Sequence, residues 1–176
     1  SVFLWQSGNK YRVSAHDADM KETEVIYGQT DSGMTIIEGH LFLNGKKPIQ
    51  QRSSYGLGEV IKAALDNHTE HLVISLGGIG SFDGGAGMLQ ALGATFYDDE
   101  AQIVDMRKGA DLIKYIRRID LSGVHPQLTK VNIQLMSDFS SRLYGKKSEI
   151  MQTYESLELS QNEAAEIDNL IWYFSE

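Results

Sequence analysis

Between Ile74 and Gly93 the chain reads I-S-L-G-G-I-G-S-F-D-G-G-A-G-M-L-Q-A-L-G, a stretch holding seven glycines and a single acid, Asp83. An apolar run, Ile74–Leu76, leads into it, and helical spacing at Gly85, Met88, Leu89 and Leu92 leads out. A glycine-rich loop between a strand and a helix can cradle an anion. Glycine allows positive φ and close backbone approach, and a helix N-terminus offers free N–H groups and partial positive charge. In open α/β sheets, ligands bind beyond the carboxyl ends of strands, where such a loop would sit. The same glycines also suit a tight strand-to-helix connection in which Asp83 is only an N-cap. The spacing is neither the dinucleotide fingerprint nor a P-loop, because no G-K-[ST] closes it. A second acid, Asp138, follows the apolar run Val131–Met136. If the two carboxylates face one crevice they could share Mg²⁺; otherwise each caps or turns its own loop. Arg142, near Lys146 and Lys147, is either a phosphate-neutralising group or a surface arginine.

Other polar residues carry less chemistry. His68 and His71 straddle a helix end and a strand start, so they share no helical face and read as structural or solvated. His16, Asp17 and Asp19 cluster in an expected loop on which nothing else in the sequence converges. No serine sits in a G-x-S-x-G elbow. Trp5, Trp172, Tyr173 and Phe174 are expected to pack in the core, or to form an apolar patch that favours self-association.

The elements that must position these residues follow from periodicity. Arg12–Ala15, Val25–Gly28, Thr35–Ile37 and Leu41–Leu43 are β-prone, with turn signals at Asp31-Ser32-Gly33 and Asn44-Gly45. Leu57, Val60, Ile61, Ala64 and Leu65 lie on one helical face, with Ser53 or Ser54 as cap and Asn67 as stop. His71–Leu76 reads as a buried strand, Thr95–Tyr97 as a further strand, and Leu112, Ile113, Ile116 and Ile119 as a short helix. Val131–Met136 is another strand, and Ala164, Ile167, Ile171 and Phe174 form a last amphipathic helix capped by Ser160. The alternation predicts an α/β domain with a mixed, partly parallel sheet and flanking helices.

A length of 176 residues suits one domain, able to bury roughly 70% of its unfolded surface. With no cysteine, disulfides and thiolate metal sites are excluded, which fits a cytoplasmic setting. The net charge of -8 disfavours nucleic acid and anionic membranes as partners. From Met151 onward six acids stand without any Lys or Arg, which reads as a solvated helix face. No apolar run reaches the roughly 18 residues of a membrane span. The first residue is Ser1, as expected of a processed product or an excised piece.

Several of these stretches resemble one family. Asp83-Gly84-Gly85-Ala86-Gly87-Met88 and on to Ala94 is similar to the signature of bacterial type 2 glycerate kinases, which read G-G-S-A-T-N-D-G-G-A-G-M there. Arg52 to Ile61 resembles the family's T-S-x-G-x-G-E-L-I, and Ile119 to Leu128 its I-D-[IL]-S-G-L-D-P-R-L. Asp138, Leu143 and Gly145 fall where the family has C-D-V-T-N-P-L-x-G. The resemblance implies the larger domain of a two-domain kinase that phosphorylates glycerate or a similar small hydroxy acid with ATP and Mg²⁺ in an interdomain cleft. Residues 1–176 would form that single domain, a fragment or truncated form lacking its second domain. The implied site residues are Asp83 and Asp138 as catalytic groups. Gly77, Gly78, Ser81, Gly84, Gly85, Ser140 and Arg142 would bind substrate or phosphate, with no separate metal ligand assigned.

The match has also drifted. Ile79, Gly80, Ser81 and Phe82 stand where the family has Ser, Ala, Thr and Asn, so a hydroxyl and an amide are gone. Ser141 and Arg142 replace an Asn-Pro pair, and Lys147 to Ser160 lacks the family's terminal lysine. Phosphoryl transfer depends on positioning and charge neutralisation, and one well-placed donor contributes roughly 3–4 kcal/mol. With half of the interdomain cleft missing, the isolated chain is expected to be inactive. The alternative is a non-catalytic binding or assembly module that kept the kinase fold, with self-association open to it.

Overall fold

The computed structural model describes residues 8–39, 42, 45–76, 80–137 and 140–176. Its strands are β1 (Asn9–His16), β2 (Glu22–Gln29), β3 (Met34–Glu38), β4 (His71–Leu76), β5 (Thr95–Tyr97), β6 (Arg118–Asp120) and β7 (Asn132–Ser137). Its α-helices are α1 (Tyr55–Asp66), α2 (Ala86–Ala91), α3 (Glu149–Thr153) and α4 (Gln161–Ser175). The main sheet has the order β1-β2-β3-β4-β7, and β5 and β6 form a separate ribbon. β1, β2 and β3 make an antiparallel meander, whereas β3, β4 and β7 run parallel. The sheet is mixed and partly parallel, as the alternation of helix and strand periods predicts. β1 therefore points the same way as β3, β4 and β7, and the C-terminal ends of all four open on one edge.

Alternation builds the sheet's inner face. Val25 and Tyr27 on β2 and Ile37 on β3 are buried, and the Tyr11 and Tyr27 rings stack across strands with centroids 5.3 Å apart. The other face of the β1–β2 hairpin is wet, carrying the Arg12–Glu24 pair. β4 has neighbours on both sides and is buried on both faces through Leu72, Val73 and Ile74, hence its continuous apolar run. α1 lays Leu57, Val60, Ile61, Ala64 and Leu65 on this face, each large side chain contributing about 1.5–3 kcal/mol by burial. α2 crosses α1 closely because Gly58 has no side chain: a Cβ there would lie 2.3 Å from the Met88 carbonyl oxygen.

A second cluster joins Ala86, Phe96, Met106, Ile113 and Ile171, and a third joins Ile49, Ile150, Ala164 and Ile167. α4 spans both. It starts with a complete capping box, in which Ser160 Oγ accepts from Glu163 N–H while the Glu163 carboxylate accepts from Ser160 N–H.

Four local expectations change. Phe42, expected in a strand, is helical and fully buried, while Leu41, Leu43 and Asn44 lie outside the described residues. The short helix expected over Leu112–Ile119 is a 3-10 segment, Ala110–Tyr115, after which Ile119 enters β6 opposite Phe96. Spacing of three serves a 3-10 turn as well as an α-helix, and pairing with β5 removes Ile119 from it. Ser54 occupies the expected N-cap position of α1, but its hydroxyl is engaged elsewhere, and Ser53 Oγ accepts the Tyr55 N–H at 3.2 Å instead. Phe174 packs against the second cluster, but Trp172 and Tyr173 are each 48% exposed; Trp5 lies outside the described residues.

Candidate functional site

β4 and β7 are direct neighbours, with Leu76 paired to Ser137. The C-terminal ends of these two strands therefore lie side by side at the sheet's edge. The N-terminus of α1 reaches the same edge, since Ser53 N–H donates to the Ala18 carbonyl just beyond β1. Gly77, Gly78, Ile79, Asp138 and Phe139 lie outside the described residues.

Asp83 is 1% exposed. Its Oδ2 accepts the Ser54 N–H at 2.7 Å, the Ser54 hydroxyl at 2.8 Å and the Gly87 N–H at 3.2 Å. Its Oδ1 accepts the Gly85 N–H at 3.1 Å. Ala86 N–H donates to the Asp83 carbonyl and Met88 N–H to Ser54 Oγ. The first-turn donors of α2, expected to be free for an anion, are thus taken up by Asp83 and Ser54. The physical reason is burial: donors packed between two helices and away from water must find protein partners. Asp83 caps α2 and bolts it to α1, with four donors already on its carboxylate.

The neighbouring residues follow this arrangement. Gly84 and Gly85 have φ of 58° and 80°, and a Cβ on Gly84 would meet the Phe174 ring at 2.8 Å. The Cβ side of Gly84 thus faces α4, although the residue itself is exposed. Phe82 packs beside the third cluster, which gives it an apolar role. Ser81 is half-buried and Ser140 exposed. Arg142 is exposed; its N–H donates to the Lys147 carbonyl, closing a turn that Ser148 ends as the N-cap of α3. The Ser141 hydroxyl donates to the Glu149 carboxylate, and Asp168, buried in α4, accepts the Gly145 N–H at 2.8 Å.

Two pairings that the sequence reading did not foresee gather at this edge. The first is His16, whose ring Nδ1 lies 3.0 Å from the Glu59 carboxylate and whose N–H donates to it at 2.8 Å. The second is Arg52, which donates from Nε to the Lys47 carbonyl at 2.8 Å and from Nη1 to the Gly80 carbonyl at 3.3 Å. The His16–Asp19 loop, on which nothing in the sequence converged, is a structural hub. Asp19 accepts the Lys46 and Lys47 N–H groups at 2.7 and 3.0 Å. Burial raises the Asp19 pKa, but these two N–H bonds and the Arg52 and Lys47 charges outweigh it, leaving the carboxyl below its ordinary value. Glu59 and Arg52 both stood within the quoted Arg52 to Ile61 stretch, but their pairings had no local signal, because both partners lie across long sequence gaps. Among the described residues, no three His, Asp or Glu side chains converge to hold a metal ion. Asp83 is buried and its carboxylate already accepts four hydrogen bonds, three of them on Oδ2.

Comparison with known proteins supplies the context for this edge. The profile of the glycerate kinase family matches residues 2–154. A glycerate kinase of Bacillus subtilis is 38% identical over 129 residues, covering 69% of this chain and 33% of the relative. A glycerate kinase of Haemophilus influenzae is 36% identical over 125 residues, covering 71% of this chain and 31% of the relative. The chain thus spans about a third of the length of the curated relatives it matches. The crystal structure of a protein assigned as glycerate kinase 2 from Salmonella typhimurium LT2 superimposes with a TM-score of 0.86 at 25% identity, over 95% of this chain and 46% of that one.

Proposed function

The chain belongs to the glycerate kinase family, and we propose that it supplies one wall of a site for ATP-dependent phosphorylation of glycerate or a similar small hydroxy acid. The observation that carries this reading is the pairing of Leu76 with Ser137, which sets the C-terminal ends of β4 and β7 beside each other at the sheet's edge. Sheet edges of this kind are where α/β proteins hold ligands. In this proposal the Gly77–Ser81 loop, Ser140 and Arg142 face the reacting groups, and Asp138 is the carboxylate available to them. Asp83 acts at one remove, by fixing the loop's far end to α1. ATP would be the phosphoryl donor and Mg²⁺ would offset the charge of its phosphates. Among the described residues no three His, Asp or Glu side chains converge to hold it. A cytoplasmic protein suits this reading, and no helix among the described residues is long and apolar enough to cross a membrane.

The isolated chain is proposed to bind weakly and not to turn over, because a two-walled cleft needs its second wall to exclude water and position the donor. A second reading, a binding or assembly module that retained the fold, draws support from the occupied first turn of α2 and from the apolar packing of Phe82. Titration of this chain with Mg·ATP and D-glycerate, followed through the amides of Gly77–Gly87 and Ser140–Gly145, separates the two. Localised shifts in both segments support the kinase wall. Silence at millimolar ligand, with the fold intact, supports the module.

A further inference from the structure

We propose that Arg52 is an oxyanion-binding residue of the C-terminal edge, reading the carboxylate or phosphate of a small ligand beside Gly80. The inference rests on the kinase reading only in taking this edge as the ligand side. The guanidinium is held in place before any ligand arrives. Its stem lies against Gly45, where a Cβ would come within 3.0 Å of both Arg52 Cδ and Nε. Its Nε and Nη1 donate to the carbonyls of Lys47 and Gly80. Both partners are neutral carbonyls, and Arg52 is absent from the ion pairs formed among the described residues. Asp19, the acid whose carboxyl the Arg52 charge helps hold below its ordinary value, already accepts two backbone N–H groups. Among the described residues no carboxylate is in direct contact with the guanidinium, and its charge acts on Asp19 only at longer range. A guanidinium so preorganised is suited to bidentate recognition of a carboxylate or phosphate, and little side-chain freedom remains to be lost.

There is room for a ligand at this point. A cavity of about 450 Å³ is lined by Arg52, Lys47, Pro48 and Ile49 on one side and by Leu157 and Glu158 on the other. Glu163 also borders it, but its carboxylate is turned into the capping box with Ser160. Arg52 and Lys47 are the cations of this wall, and Gly80 links it to the glycine-rich loop.

The test is NMR titration of the 176-residue chain with orthophosphate, tripolyphosphate and D-glycerate in parallel, so that free phosphate, a nucleotide-like polyphosphate and a carboxylate are told apart. The expected result is shifts at the Gly80, Gln50 and Leu157 amides that weaken with added salt. Affinity should fall at least roughly tenfold in Arg52→Gln, fall less in Arg52→Lys, and stay unchanged in Arg12→Gln, on the far hairpin. Should Arg52→Gln fail to fold, Arg52→Lys decides: a loss of about threefold or more supports the proposal, and unchanged affinity overturns it. Absence of binding by the unmodified chain overturns it, as does loss with Arg142→Gln but not with Arg52→Gln. Phosphate bound through Arg52, with no response to Mg·ATP and D-glycerate in the glycine-rich loop, would sink the kinase reading and leave this one standing.

Discussion

Asp83 and Ser54, separated by 29 positions in the chain, are joined twice: the Ser54 N–H and hydroxyl both donate to Asp83 Oδ2, at 2.7 and 2.8 Å. This pair ties the start of α1 to the start of α2, in a place closed to water. The hydroxyl also accepts from Met88 N–H, so one serine serves both the carboxylate and the helix.

Removing the carboxylate strands several buried donors at once. Asp83→Ala is expected to destabilise the domain by about 3–5 kcal/mol, and Ser54→Ala by about 1–2 kcal/mol. Urea unfolding of the two single variants and the double variant checks this. A coupling energy of about 1–3 kcal/mol is expected, and additive effects would refute the shared network.

Gly58 sets the α1–α2 distance. In an exposed helix, glycine to alanine gains about 1 kcal/mol. Here the added methyl would meet the Met88 carbonyl at 2.3 Å and Ala91 Cβ at 2.7 Å. Gly58→Ala should therefore lower stability by about 1–3 kcal/mol, and a rise in Tm would contradict the packing.

Asp19 predicts a specific acid sensitivity. Its native pKa lies below the ordinary aspartate value of about 3.9. Its contribution is thus fully present above that value and is lost as pH falls through the lowered native pKa. Asp19→Asn should reduce stability at neutral pH and flatten the stability profile below about pH 4. Parallel urea melts of the variant and the unmodified chain across that range measure it; an unchanged acid limb would exclude Asp19 as the cause.

β7 closes the sheet order with every residue exposed, including Ile133, Leu135 and Met136 at 42%, 60% and 54%. Its six residues carry no charge and no proline, the features that usually guard an edge strand. The chain is expected to self-associate with rising concentration through this strand. Leu135→Lys should suppress that in sedimentation velocity while changing stability by no more than about 0.5 kcal/mol. Association unaffected by the lysine would move the contact elsewhere.

Much of the scaffold was legible before folding was considered. The bounds of β4 coincide with the apolar run His71–Leu76, because a strand flanked on both sides buries both faces and shows no polar alternation. The face of α1 was readable from five apolar residues, and the Ser160 cap from its place ahead of α4. The glycine-rich signature likewise announced the family. Ile119 misled, since its spacing continued a helix that β5 pairing interrupted.

The sequence by itself determined which segments are helix and strand and which faces must turn inward, because burial of apolar surface has a local period. Only the tertiary structure decided where the polar groups found partners. Ser54 fills Asp83, Glu59 meets His16, and Arg52 reaches Gly80, each across 28 or more positions. Such pairs depend on ångström-scale approach between elements distant in the chain. A hydrogen bond's range is far shorter than the uncertainty left by any local pattern.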